Sequence, residues 1–332
     1  MIFIKKPLLY IILYYFLIFL IPFSVCFFAV ETNNLSYSTK VEINKKMENG
    51  KIKSYISALD TLQEFSLEEY LMGVVAAEMP ASFPLDALKA QAVAARTFVI
   101  SKVANDKGDV SEHKGAPVCT NPAHCKAWKS LDELKNAWGE KWEEYYENVR
   151  QSVQETEGEI VLYNGEPITA VYYSMSGGKT ENSQDVWGGS LPYLKSVNSS
   201  FDENAPNFNS ACSFTPEEFK NIILANYPHL IPADDPSVWV GEAVRSQAGG
   251  VMEITILGEK IKGTKMRSMF SLRSHNFTLE YKGGAFHFNV KGYGHGVGLS
   301  QWGSKFLAEE GKNYKDILRY YYTGVTIGKC DF

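Results

Sequence analysis

A chain of 332 residues that is 45% hydrophobic and 21% charged can bury a sizeable core, which excludes intrinsic disorder. Its 33 basic and 38 acidic residues leave a net charge of −5, too near neutral for a nucleic-acid binder that relies on a broad basic field. Five cysteines exclude a disulfide-dense scaffold.

Lys5 and Lys6 precede an uncharged run, LLYIILYYFLIFLIPFSVCFFAV, from Leu8 to Val30. As a helix it would span roughly 35 Å, enough for a bilayer. The lysines keep its N-terminal side in the cytoplasm and place the rest of the chain outside. A cleaved signal peptide is the other reading, but its apolar region normally runs about 7–15 residues, and FFAVET is a poor cleavage site. The expectation is a cytoplasmic tip and retained transmembrane anchor over 1–30, a polar tether or first edge strand over 31–56, and an extracytoplasmic domain over 57–332.

Within that domain a helix is signalled by Ser66 as N-cap, Glu69 as its capping-box partner and a Phe65–Tyr70 staple. Leu67, Tyr70, Leu71, Val74 and Val75 follow at helical spacing, and Pro80 ends it. A second helix starts near Pro84, with alanines at 87, 90, 92, 94 and 95 that permit close approach of neighbours. A loop from about 105 to 127 carries His, Cys, Pro and Gly, and a charged, aromatic helical stretch runs from about 131 to 156. EIVLY, Asn164-Gly165 and EPITAVYYSMS read as a hairpin with a tight turn. Thr215 and Pro216 start a helix, short alternating stretches fill 239–290, and two helices close the chain. Helices early and strands later, without regular βαβ alternation, predict an α+β fold.

Four groups of residues bear chemistry. Glu78 falls on the apolar face of the first helix, at its C-terminal end, where desolvation and the helix dipole both favour the neutral acid that a general acid needs. The bland alternative is a helix-end Glu paired with a nearby cation. His113, Cys119, His124 and Cys125, in HKGAPVCTNPAHC, make a tetrahedral zinc set, closed and therefore structural. A Cys119–Cys125 disulfide is the competing reading. Glycines at 292, 294, 296 and 298 surround His295 and feed Ser300, Gln301 and Trp302, as a close-approach surface for a ligand or as a tight turn. Of Tyr320, Tyr321 and Tyr322, at least one must point away from the core.

Taken together, LMGVVAAEMPASFPLDALKAQAVAARTF, YYSMSGGKTENSQDVWGGSLPYLKSV, GYGHGVGLSQWG and ILRYYYTG resemble the SpoIID/LytB family, in order, over about Leu62 to Ile327. The resemblance implies a membrane-anchored lytic transglycosylase that cleaves the β-1,4 bond between N-acetylmuramic acid and N-acetylglucosamine without water, leaving an anhydro end, during engulfment of the forespore. It makes Glu78 the acid/base and assigns Arg96, Tyr193, Lys195 and a C-terminal tyrosine, here taken as Tyr321, to the site. His295 and Gln301 join them as glycan-binding candidates. The His113, Cys119, His124 and Cys125 loop resembles a zinc loop of some members. Peptidoglycan, the membrane, a wall amidase and a membrane scaffold protein of the engulfment machinery are the implied partners. One branch of the family implies a different role, a wall-binding amidase enhancer that cleaves no sugar; a structural anchor of the engulfment complex is the other alternative.

Overall fold

The computed structural model describes residues 50–105 and 113–330, with scattered positions between 34 and 47. The expected anchor lies outside the described residues, and among those residues no helix is long and apolar enough to cross a membrane.

The fold is α+β, as the order of elements predicts. The strand β1 (Lys51–Ile56) lies within the span read as a tether or first edge strand, and it is the central strand of a small sheet, not an edge. It pairs antiparallel with β2 (Thr61–Ser66) and parallel with β3 (Val118–Cys119). The helix α1 (Leu67–Glu78) starts at a reciprocal cap: Ser66 Oγ accepts the Glu69 N–H at 3.3 Å, and Glu69 accepts the Ser66 N–H at 3.0 Å. Phe65 and Tyr70 staple it, with ring centroids 6.1 Å apart.

The helix α2 (Leu85–Asn105) is the axis of the main core. Its alanines at 87, 90, 92, 94 and 95 are all buried, and small side chains let other elements approach its backbone. Packed around it are α1, α4 (Trp142–Gln154), β4 (Glu159–Tyr163), α8 (Gln301–Glu309) and α9 (Tyr314–Tyr321). The stretch from 131 to 156 is not one helix. The helix α3 (Leu131–Trp138) stops where Gly139 takes φ +51°, and a short 3-10 turn leads into α4.

Asn164 and Gly165 form the expected tight turn, with φ of +53° and +78°. The second arm of that hairpin is shorter than predicted. β5 is only Glu166–Pro167, and proline offers no N–H to extend the ladder. The chain then turns away, and β6 (Tyr172–Tyr173) pairs in parallel with β13 (Leu299–Ser300), while β14 (Thr326–Lys329) covers the other edge of β4. A short helix, α5 (Ser183–Trp187), follows β6.

A second hydrophobic core lies between 209 and 291. It is built from β7 (Asn209–Phe214), α6 (Pro216–Asn226), β8 (Val240–Arg245), β9 (Val251–Ile256), β10 (Glu259–Lys262), α7 (Gly263–Met269), β11 (Phe277–Lys282) and β12 (Ala285–Lys291). Two antiparallel three-stranded sheets enclose stacked aromatics, Phe219 lying 4.1 Å from Phe286 between ring centroids. This lobe leaves and re-enters the main body through paired residues, Asn209 opposite Lys291. A buried carboxylate ties the two together: Glu181 accepts the Gly250 N–H at 3.0 Å and faces His275 Nε2 at 3.5 Å.

Candidate active site

Glu78 is the last residue of α1 and is half-buried. Met79 turns extended and Pro80 follows, so the side chain stands where the helix opens onto a loop. Both carboxylate oxygens are held. Oε1 accepts the Ala127 N–H at 3.0 Å, and Oε2 accepts Gln301 Nε2 at 3.4 Å. Gln301, the first residue of α8, is in turn 3.5 Å from Oε1 of Gln91, which is fully buried in α2. The glycine run makes this approach possible. A Cβ on Gly298 would stand 2.3 Å from the Val171 carbonyl oxygen, and one on Gly292 would meet the Ser176 backbone at 2.7 Å. The crowding is therefore within the chain itself, which makes the run a tight packing turn and not a ligand cradle. It seats Gln301 against Glu78.

Lys126 is the cation of the site. Its ammonium lies 3.7 Å from the centroid of the Tyr172 ring and 4.7 Å from that of Phe98. Burial pushes its pKa down to about 8, against the pull of the Glu78 charge. Lys126 and Ala127 directly follow Cys125, so the loop that holds the cysteines also places two groups at the acid.

The four residues expected to bind metal do converge. One ligand atom from each of His113, Cys119, His124 and Cys125 lies within 4.8 Å of all the others. Cys125 Sγ is 3.5 Å from His113 Nε2, and Cys119 Sγ is 3.7 Å from His124 Nδ1. A tetrahedral zinc with bonds of about 2.3 Å to sulfur and about 2.0 Å to nitrogen sets S and N about 3.5 Å apart. The donor set thus fits a closed four-ligand ion. His113 Nδ1 donates to the Ala116 carbonyl at 3.1 Å, which leaves Nε2 for the metal. Cys119 and Cys125 are free thiols, with no disulfide between them.

Other expected residues are placed differently. Arg96 does not line a groove. It is fully buried, forks onto Glu68 at 2.9 and 2.5 Å, and donates to the Glu159 and Val153 carbonyls at 3.2 and 3.1 Å. Its helix face points into the core, where only a partner of opposite charge makes a guanidinium tolerable. Tyr321 is also fully buried, its hydroxyl 2.9 Å from Ser199 Oγ, in a network that centres on buried Asp202. Tyr322 is equally buried and donates to the Val171 carbonyl at 2.9 Å. Only Tyr320 reaches the surface, so the tyrosine turned away from the core is the first of the three. Tyr193 is half-buried and lines a cavity of about 920 Å³ together with Phe98, Tyr163, Lys102, His113 and His124. Glu78 is not among that cavity's lining residues; Lys126, whose ammonium sits over the Phe98 ring that lines it, feels the Glu78 charge. Lys195 is half-buried, with Nζ 3.4 Å from Ser190 Oγ. Neither Arg96 nor Lys195 pairs with Glu78.

His295 is fixed by both ring nitrogens. Nδ1 accepts the Val297 N–H at 3.1 Å, so Nε2 carries the proton and donates to the Tyr172 carbonyl at 3.2 Å. Burial, aided by the Lys126 charge, pushes its pKa down to about 3. The unfolded chain titrates near the ordinary value of about 6.5 and binds the extra proton in between. Stability present above about pH 6.5 is therefore lost as pH falls toward 3. A His295→Gln variant is expected to show a flatter melting temperature against pH over that window. A profile parallel to that of the parent would remove this assignment.

A family model described as stage II sporulation protein, SpoIID, matches residues 55–163. The chain is 36% identical over 309 residues to stage II sporulation protein D of Bacillus subtilis (strain 168), covering 91% of this chain and 87% of that protein. The chain belongs to the SpoIID family. The Bacillus amyloliquefaciens stage II sporulation protein D is also 36% identical, over 283 residues that cover 83% of this chain and 78% of that one. A protein named amidase enhancer, from Bacillus subtilis (strain 168), is 30% identical over 305 residues, 77% of this chain but 40% of its own length. This is therefore a sporulation-family protein, related also to a protein named for an effect on an amidase.

Sequence reasoning missed Gln91, Lys126, Ala127 and Tyr172. Gln91 carried a signal, a polar side chain in an alanine-rich helix. Lys126 carried one as the residue next to a metal-binding cysteine. The Ala127 contact is made by backbone and has no side-chain signature.

Proposed function

We propose that this protein is a membrane-anchored lytic transglycosylase that cleaves the MurNAc–GlcNAc β-1,4 bond of peptidoglycan in forespore engulfment. The observation that carries this reading is the company Glu78 keeps. The groups brought to it are Ala127 N–H, Gln301, Gln91 and Lys126, and none is a second carboxylate. Hydrolysis of a glycosidic bond ordinarily needs two. With one, the nucleophile must come from the substrate. Glu78 gives its proton to the bridging oxygen as the bond to the muramic anomeric carbon breaks. The 6-hydroxyl of the same sugar bonds to that carbon, and its proton passes to the Glu78 carboxylate. The products are a 1,6-anhydro end and a free 4-hydroxyl. Ala127 N–H and Gln301 fix the carboxyl in one orientation throughout.

Residues 8–30 serve as the anchor in this reading, and the described domain works on the outer face of the membrane beside a wall amidase and a scaffold protein. The relative named amidase enhancer favours a second reading, wall binding without cleavage. Incubating the protein with purified glycan strands separates the two: anhydro ends support the lytic reading, and unaltered strands support the other.

His113, Cys119, His124 and Cys125 would hold one zinc, which supplies a rigid tetrahedral link across the loop. The protein purified without added metal is expected to carry about one equivalent of zinc. Cys125→Ser should lower both zinc content and cleavage, because Lys126 and Ala127 lose their anchor. A Cys119–Cys125 disulfide in the mature protein would refute the site.

A further inference from the structure

We propose that the indole of Trp187 is a stacking platform for a saccharide ring of the bound glycan strand. This rests on the reading of the Glu78 site as a glycan site. Trp187 is 50% exposed, a large apolar area to leave in water. It ends α5, and Gly188 then takes the left-handed conformation at φ +80°, so the chain turns away and leaves the ring in the open. The backbone beneath it is fixed. Ser183 Oγ donates to the Gly189 carbonyl at 2.8 Å and accepts the Leu191 N–H at 2.9 Å. Asn182 Oδ1 accepts the Ser196 N–H at 2.9 Å. A rigid ring loses little freedom when a ligand lies on it.

Its neighbour says what it faces. The Trp187 and His295 rings are 5.1 Å apart between centroids. His295 has both nitrogens committed within the chain and donates to Tyr172, whose ring carries Lys126 beside Glu78. The exposed Trp187 ring therefore stands at the outer end of a run of contacts, through His295 and the buried Tyr172, that leads to Lys126 and Glu78. A pyranose ring offers a face of C–H bonds to such a ring and keeps its hydroxyls in water. A stem peptide, with its charged ends, finds no ionic partner in either ring.

The test uses the full chain carrying Glu78→Gln, so that oligomers of N-acetylglucosamine bind without turnover. Titration calorimetry on Trp187→Ala in that background should show affinity about tenfold weaker. Trp187→Phe, which keeps a smaller ring, should fall between, and its retained melting temperature guards against a folding effect. Equal affinities in all three proteins overturn the platform and leave the glycan site standing. Affinity lost for a free stem peptide but not for the oligosaccharide overturns it too. If the Glu78→Gln parent itself binds no oligosaccharide, the glycan reading fails and the platform with it.

Discussion

Replacing Glu78 by Gln is expected to lower glycan cleavage by about two to four orders of magnitude, the usual worth of a positioned general acid. The amide keeps the shape of the carboxyl but has no carboxylic proton to give and no anionic oxygen to take one back. Its oxygen can still accept the Ala127 N–H, and its N–H can be met by the Gln301 side chain turning its own amide oxygen inward. The variant should therefore fold with a melting temperature close to the parent, Glu78 being only half-buried, while anhydro ends disappear from the digest. Binding of glycan strands should survive. Cleavage at the parental rate by Glu78→Gln would remove the single-acid mechanism. Loss of cleavage together with loss of the folded state would make Glu78 structural.

The second large effect is on stability. Arg96→Ala should destabilise the fold by about 3 kcal/mol, the lower end of what breaking a buried pair costs, because Glu68 keeps some contact with solvent. The guanidinium joins four elements: α1 through Glu68, α2 on which it sits, the end of α4 through the Val153 carbonyl, and β4 through the Glu159 carbonyl. Removing it leaves those acceptors without their donor in the core. The melting temperature should fall by roughly 6 °C, at about 2 °C per kcal/mol for a domain of this size. Arg96→Lys should recover only part, since an ammonium cannot make the paired contact with Glu68. An unchanged melting temperature with weakened glycan affinity would return Arg96 to the groove.

What was legible in the sequence follows a physical divide. Local chemistry was readable: the Ser66 and Thr215 caps and the Asn164-Gly165 turn act within a few residues and are found as read, and the four His and Cys residues of the loop converge. The place of Glu78 at the end of its helix was readable from periodicity; that it is only half-buried, with both oxygens accepting N–H groups, was not. Direction across longer distances was not readable either. Arg96 lies on a helix whose every face is nearly buried, so its spacing could not say whether it meets a partner or a cleft, and the three adjacent tyrosines did not show which one turns inward. The glycine run misled for a related reason: glycine reports that something comes close, not whether that something is ligand or chain. The break at Gly139 escaped notice because charge and aromatic content continue unbroken through it.

The lobe between 209 and 291 departs and returns at neighbouring points of one strand pair and keeps its own aromatic interior. Such an arrangement makes it a cassette: its loops and outer face are free to diverge, or to be exchanged for those of a relative, without re-threading the scaffold that carries Glu78. The exchange is bounded by the contacts that cross to the host, where Arg273 donates to the Asn207 carbonyl and accepts the Gly294 N–H at its own carbonyl, and where Glu181 is met from the lobe. Whatever replaces the cassette must present a donor where Gly250 and His275 now meet Glu181, or the host is left with a sealed, unsatisfied charge.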